Sequence, residues 1–350
     1  MRKKFITPLL LLLTLTLPLL LSFSCQLNPD GNSDGNSGGN QGGAGSTSFS
    51  NSSICVASWN VQNLFDDIDN GTEYSEYLSS SGWNTKGYNL RLSNTAQVLD
   101  YLPKAKDYII ILNEIENTNV IEGLLSQKKL RSKKLAWYAF ASAYSGSIGT
   151  AVLSSLEIVS AKVHKTDDSL RPILEVEFNT NGGKLYLLSL HFKSNLGGET
   201  ETAPMRLKAA KVVAQVAAQL KKENPGCLIL TCGDFNEECW ADNTMTRLPT
   251  VSAPLKVSGT FSNGTWYCPW LDTSQNLWPN GSYYYNEHWK CYDNILISQE
   301  GRDGTGLEYI KAGVIFQGIL RTSDDKPNAW QLNLLKGVSD HLPVWVVLEY

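Results

Sequence analysis

The chain has 350 residues, and its 30 lysines and arginines against 34 aspartates and glutamates leave a formal charge of −4. That balance excludes a nonspecific polybasic binder, but not an enzyme that grips phosphate through a divalent cation. No internal repeat and no second linker divides the chain after Ile54, so one large domain over 54–350 is expected.

Arg2, Lys3 and Lys4 precede an apolar run from about Leu9 to Leu21, followed by small residues and Cys25. This is the layout of an export signal over residues 1–24. A membrane span is the weaker reading, because the run falls short of the ~20 residues a span needs and contains Pro18. The segment Leu21-Ser22-Phe23-Ser24-Cys25 resembles a bacterial lipobox, from whose tightest form Phe23 departs. Cys25 is therefore expected to carry lipid and to hold an exported protein on a membrane, in the periplasm or at the cell surface. Residues 25–53, which from Asn28 are almost only Asn, Gly, Ser, Asp, Gln and Thr, bury too little apolar surface to fold and read as a flexible tether.

Beyond the tether, short apolar runs alternate with polar loops. Strands are predicted over Ile54–Asn60, Tyr108–Asn113, Thr150–Leu153, Ile173–Phe178, Lys184–His191, Leu228–Asp234, Tyr292–Ser298 and Val344–Glu349. Helices are predicted over Leu92–Leu102, Val120–Leu125 and Met205–Lys222, the last with Leu207, Ala210, Val213, Ala214, Ala217 and Leu220 at helical spacing. Strands outnumber helices, and their Val, Ile and Leu content suits sheets covered on both faces. The mixture favours two packed sheets with helices outside over a regular doubly wound array.

Several of these strands end in a group that handles metal or phosphate. Asn60 follows Trp59, Glu114 ends Ile109-Ile110-Ile111-Leu112-Asn113, and His191 ends Leu185 to Leu190. Asp234 and Asn236 share one face at the end of Leu228-Ile229-Leu230, Asp293 opens a later run, and Asp340-His341 lies near the C-terminus. A carboxylate or imidazole that ends an apolar strand is costly to bury without a cation, a charge partner or water. One such residue can be a strand emerging into solvent; five in one chain point to metal-assisted cleavage of a phosphate ester.

Cys227 and Cys232 flank a strand on opposite faces, roughly 16 Å apart along an extended chain, too far to bridge. They read as buried thiols. Cys239 and Cys291 both fall near the mouth of the candidate site, so they are the preferred pair if any forms, with Cys268 the competing partner. No C-x-x-C pair or histidine at ligand spacing supports zinc.

In this order the motifs Trp59-Asn60, Leu112-Asn113-Glu114, His191, Gly233-Asp234-Phe235-Asn236, Asp293 and Ser339-Asp340-His341 resemble those of the endonuclease/exonuclease/phosphatase superfamily. Asn113 stands where that family usually has Gln. The resemblance spans Ile54 to Tyr350 and implies an α+β fold of the DNase I-like kind: two packed, mainly antiparallel sheets flanked by helices in four layers. It implies Glu114 as the main ligand of Mg²⁺ or Mn²⁺, with Asn60 and Asp340 completing the cation site and Ca²⁺ a further candidate ion. Asp234 would orient or deprotonate the attacking water, and Asn236 would donate to the phosphate. His341, held by Asp293, would meet the phosphate from the other side. His191 would donate to a phosphate oxygen or protonate the leaving group. Arg171, ahead of Ile173, would support the site. By the same resemblance Cys239 and Cys291 fall close to where DNase I itself has a disulfide, offset by one residue at the second position, which supports that pair.

His164 and His288 match no family position and read as surface residues. In Asp66-Asp67-Ile68-Asp69-Asn70-Gly71 a calcium loop is spoiled by Ile68 and the missing terminal Glu, leaving a solvated loop. Substrate rests on loops. The stretch Phe261 to Tyr292 carries Trp266, Tyr267, Trp270, Trp278, Tyr283, Tyr284, Tyr285 and Trp289, read either as core, as rings that stack on bases, or as a membrane-dipping hairpin of the sphingomyelinase type. The lack of a long apolar hairpin favours nucleic acid, DNA first, as the partner of a monomeric enzyme. A sphingomyelinase- or inositol-phosphatase-like phosphoesterase and a non-catalytic binding lipoprotein are the alternatives.

Overall fold

The computed structural model describes residues 49–143, 146–167, 170–240 and 251–350. The export signal, Cys25 and residues 25–48 of the tether lie outside them. Packing begins before Ile54, because Phe49 sets its ring edge-on against Trp345 at 6.4 Å and donates its N–H to the Lys104 carbonyl.

Alternation along apolar strands gives each one two buried faces, and the chain satisfies them with two sheets. The first runs β14 (Glu308–Val314), β15 (Val344–Glu349), β1 (Ser53–Leu64), β2 (Asp107–Ile115), β4 (Gly149–Ser154), β3 (Trp137–Ser142). The second runs β5 (Ser160–His164), β6 (Ile173–Thr180), β7 (Gly183–His191), β8 (Leu228–Asp234), β13 (Asp293–Ile297), β10 (Trp266–Tyr267), β9 (Val257–Ser258). A separate hairpin pairs β11 (Tyr283–Tyr285) with β12 (His288–Lys290). Most neighbours are antiparallel; β1 with β2, β7 with β8 and β9 with β10 run parallel.

The layers follow from side-chain alternation. In β1, Ile54 and Val56 enter the core between the sheets, while Cys55, Ala57 and Trp59 pack under α1 (Thr85–Asp100) and α2 (Thr118–Leu125). In β7, Leu185 and Leu187 join the central core, while Tyr186, Leu188 and Leu190 pack under α3 (Glu199–Glu223). Each fully buried Leu or Ile contributes roughly 1.5–3 kcal/mol. The result is a helix–sheet–sheet–helix sandwich, the expected DNase I-like α+β architecture. α1 is capped by Asn84, whose side chain accepts from the Lys86 and Gly87 N–H groups. α3 starts at Glu199, before the expected Met205, and runs through Pro204.

Candidate active site

Two strands of the first sheet and three of the second meet at one rim. Asn60 belongs to β1 and Glu114 to β2; His191 closes β7 and Asp234 closes β8, where the two are register partners. Asp293 opens β13 directly opposite Asp234. The parallel approach of β7 and β8 depends on Gly233, with φ +148, because a Cβ there would lie 1.9 Å from the Leu190 carbonyl oxygen. Glu114 does not simply end its run. It sits inside β2 at φ 67, at an irregularity between Asn113 and Ile115, and such bulges re-aim a side chain.

The side chains converge. The Asn60 amide donates to Glu114 Oε1 at 2.9 Å and to Asp234 Oδ2 at 3.0 Å, and the Asn63 N–H donates to Glu114 Oε2 at 2.9 Å. His191 Nε2 lies 3.8 Å from Glu114 Oε1 and 3.6 Å from Asp234 Oδ2. His341 Nε2 lies 3.9 Å from Asp234 Oδ2, and its Nδ1 is 2.6 Å from Asp293 Oδ2. Asp340 is close enough to Glu114 and His341 for their charges to act on it. Beside His191 opens a cavity of about 240 Å³ lined in part by Tyr74, Arg171 and Lys193. The charge of Arg171 acts on both Tyr74 and His191, and at His191 it lowers the pKa.

The electrostatics separate the two imidazoles. Burial, then the charges of Arg171, His341 and Lys193, push His191 well below the ordinary range, so its ring is neutral. For His341 burial acts in the same direction, but Asp293 and Asp234 overcome it and hold the ring well above that range, protonated. Burial also raises the Asp234 carboxyl, against the pull of His341 and with the push of Asp293. Asp340 is raised by burial first and by Glu114 after it.

Asp293, Asp234 and Asp340 therefore all act on the single ring of His341. Ligand atoms of Asp234, Asp293 and His341 lie within 4.8 Å of one another, and Asp293 Oδ1 is buried with no partner. Hard oxygen donors with uncompensated negative charge fit Mg²⁺, Mn²⁺ or Ca²⁺.

Three expectations change here. β8 stops at Asp234, so Asn236 is not delivered by strand alternation. It sits in a left-handed turn at φ 52, its N–H bonds Asp234 Oδ1 at 2.8 Å, and its side-chain amide donates to the Phe192 carbonyl at 3.2 Å. Asn60 turns its amide to the carboxylates, and its Oδ1 accepts the Gln62 N–H at 3.0 Å. Its place is that of a clamp between Glu114 and Asp234. Cys239 and Cys291 do not bridge: all six described cysteines are free, buried thiols, and Cys291 Sγ turns instead to the Asn280 carbonyl at 3.6 Å, Cys268 Sγ to Asn294 Oδ1.

Two smaller readings shift as well. His164 is not a plain surface residue, since its Nε2 lies 2.8 Å from Glu175 Oε2, whereas His288 is exposed. Asp66 is buried, and its carboxylate accepts from the Ile68 N–H and the Asn117 and Asn119 amides.

Several supports carried no linear signal. Asn113 joins the sheets: it donates to Thr150 Oγ1 and the Leu190 carbonyl, each at 3.0 Å, and accepts the Asp234 N–H at 3.0 Å. Gln62 Oε1 accepts the N–H groups of Asp340 and Trp330. Arg91, fully buried, donates to the carbonyls of Val338, Val61 and Gln62. Arg91 lies one residue before the helix expected over Leu92–Leu102, so no pattern in the sequence marks it.

A model of the Endonuclease/Exonuclease/phosphatase family matches residues 55–350. Its members hydrolyse phosphate esters and generally use a divalent metal. None of the curated proteins matches the chain. Among solved structures, an endonuclease/exonuclease/phosphatase family protein from Bacteroides thetaiotaomicron is 16 % identical with a TM-score of 0.53, over 85 % of this chain and 94 % of that one. Truncated TDP2 from Caenorhabditis elegans is 17 % identical with a TM-score of 0.52, over 85 % and 98 %. TDP2 from D. rerio, solved with a single-strand DNA product, is 15 % identical with a TM-score of 0.52, over 85 % and 99 %.

Proposed function

We propose that this chain, which belongs to the endonuclease/exonuclease/phosphatase family, is a divalent-metal-dependent phosphodiesterase that hydrolyses nucleic acid, DNA in the first place. The carrying observation is that Asn60, Glu114, His191, Asp234 and His341, drawn from both sheets, meet with every contact between them under 4 Å. The DNA product bound to a protein of this fold supports the choice of substrate.

The residues divide the work. Asp234, its carboxyl raised by burial, is poised to take a proton from an attacking water. Protonated His341, oriented by Asp293, donates to a phosphate oxygen as charge develops there. His191, whose ring burial keeps well below its ordinary pKa, would donate to a phosphate oxygen or protonate the leaving group. Glu114 and Asp340 would hold Mg²⁺ or Mn²⁺, whose chemistry when bound is to offset phosphate charge. Asn60 keeps the carboxylates of Glu114 and Asp234 at a fixed spacing.

Export and anchoring through lipid on Cys25 belong to the same proposal and rest on the leader motif alone; Cys25→Ala should move the protein from the membrane to the soluble fraction. For the activity, plasmid DNA and sphingomyelin are incubated with the protein in Mg²⁺ or in EDTA. Nicking of plasmid that EDTA abolishes supports the reading. Release of phosphocholine without nicking overturns it in favour of a lipid-directed phosphoesterase.

A further inference from the structure

Next to the catalytic rim stands a surface that none of the roles above uses. The hairpin β11–β12 has two faces, because Tyr284 pairs with Trp289 while Tyr283 pairs with Lys290 and Tyr285 with His288. The first face is an anchor: Tyr284 meets Trp289 edge-on at 5.2 Å, and Trp289 meets Phe316 at 5.5 Å. The second face turns to the site. Tyr283 forms a backbone bridge with His341, and its ring stacks on that imidazole at 4.5 Å. It is also near-parallel to Tyr292 at 5.4 Å and 17°, and to Tyr285 at 6.2 Å and 10°. The column ends in Tyr285, which is 58 % exposed, with His288 and Lys290 on the same face.

We propose that Tyr285 and Tyr283 form a stacking platform for a nucleobase flanking the scissile phosphate. The proposal rests on the nuclease reading and adds to it a site that selects for a base. Rings within 10° of one another extend a stack, so the ligand they accept is flat. A quaternary ammonium headgroup calls for rings that converge on it from different directions, which these do not. Lys290 on the same face suits the backbone of a single strand, where aromatic stacking and a cation act together. Through Tyr283 the platform touches His341, so a base stacked on Tyr285 would lie two rings from the group that meets the phosphate.

The test compares kcat/KM on an oligonucleotide with that on the same strand carrying abasic sites beside the cut. The wild-type protein should prefer the base-bearing strand by about tenfold or more. Tyr285→Ala should bring the ratio near one, and Tyr285→Trp should restore it. The platform is overturned, and the nuclease reading kept, if wild-type protein cuts both strands equally, if Tyr285→Ala retains the preference, or if it slows both strands alike. Should wild-type protein cut no nucleic acid and release phosphocholine from sphingomyelin, both readings fall together.

Discussion

His341 with Asp293 and His164 with Glu175 are the same two groups at nearly the same distance, 2.6 Å and 2.8 Å. Their surroundings differ. His341 is buried at the rim, faces Asp234 as well, and stacks on Tyr283. His164 lies on the edge strand β5, and its Glu175 also takes Lys162 at 3.2 Å. A histidine–carboxylate pair is therefore no mark of catalysis by itself. At the rim it faces more negative charge than it can balance; at the edge it ties a short strand to its neighbour.

Breaking the rim pair has the largest expected effect. His341→Gln and Asp293→Asn should each lower kcat for the proposed phosphodiester cleavage about 10²–10⁴-fold, the range of a lost acid–base group, with circular dichroism unchanged. If either variant keeps full turnover, the two pairs are equivalent and the contrast fails. Gly233→Ala comes next, since the new methyl collides with the Leu190 carbonyl. We expect a loss of about 2–3 kcal/mol in urea unfolding, with activity falling because His191 and Asp234 share that register.

At the edge, Glu175→Gln should cost about 1–2 kcal/mol at pH 7 and leave turnover per folded molecule unaltered. Burial raises the Glu175 carboxyl, but hydrogen bonds from His164 and Lys162 prevail and hold it below its ordinary 4.5. A depressed carboxyl adds stability above its unfolded pKa and loses it as pH falls through the folded value. The melting-temperature gap between wild type and variant should therefore be full at pH 7 and close in acid below pH 4.5. His164→Gln removes one of two partners while Lys162 remains, so about 0.5–1 kcal/mol is expected in the same unfolding assay, the smallest change of the series.

All eight strands read from the sequence are present, because each is an apolar run buried on both faces. β3, β5 and β14 carry a weaker signal for a related reason: each is an edge strand of its sheet, so Trp137–Ser142, Ser160–His164 and Glu308–Val314 are only partly buried and break the apolar run. The principal site residues were legible because each interrupts or ends a hydrophobic run. Asn113, Gln62 and Arg91 were not, since their meaning lies in backbone groups far along the chain. The aromatic stretch resisted a single reading because it serves two ends: Trp266 and Tyr267 are core, whereas Trp278 and Tyr285 are largely exposed.

Asn113 grips Leu190 and Asp234 from the opposite sheet, and Glu114 is the next residue along. The seam between the two leaves thus runs through the candidate active site. A molecule whose leaves have formed but not yet docked would hold every carboxylate and imidazole and still be inert. During refolding, cleavage should return after helix and strand signals; during unfolding, it should vanish before them.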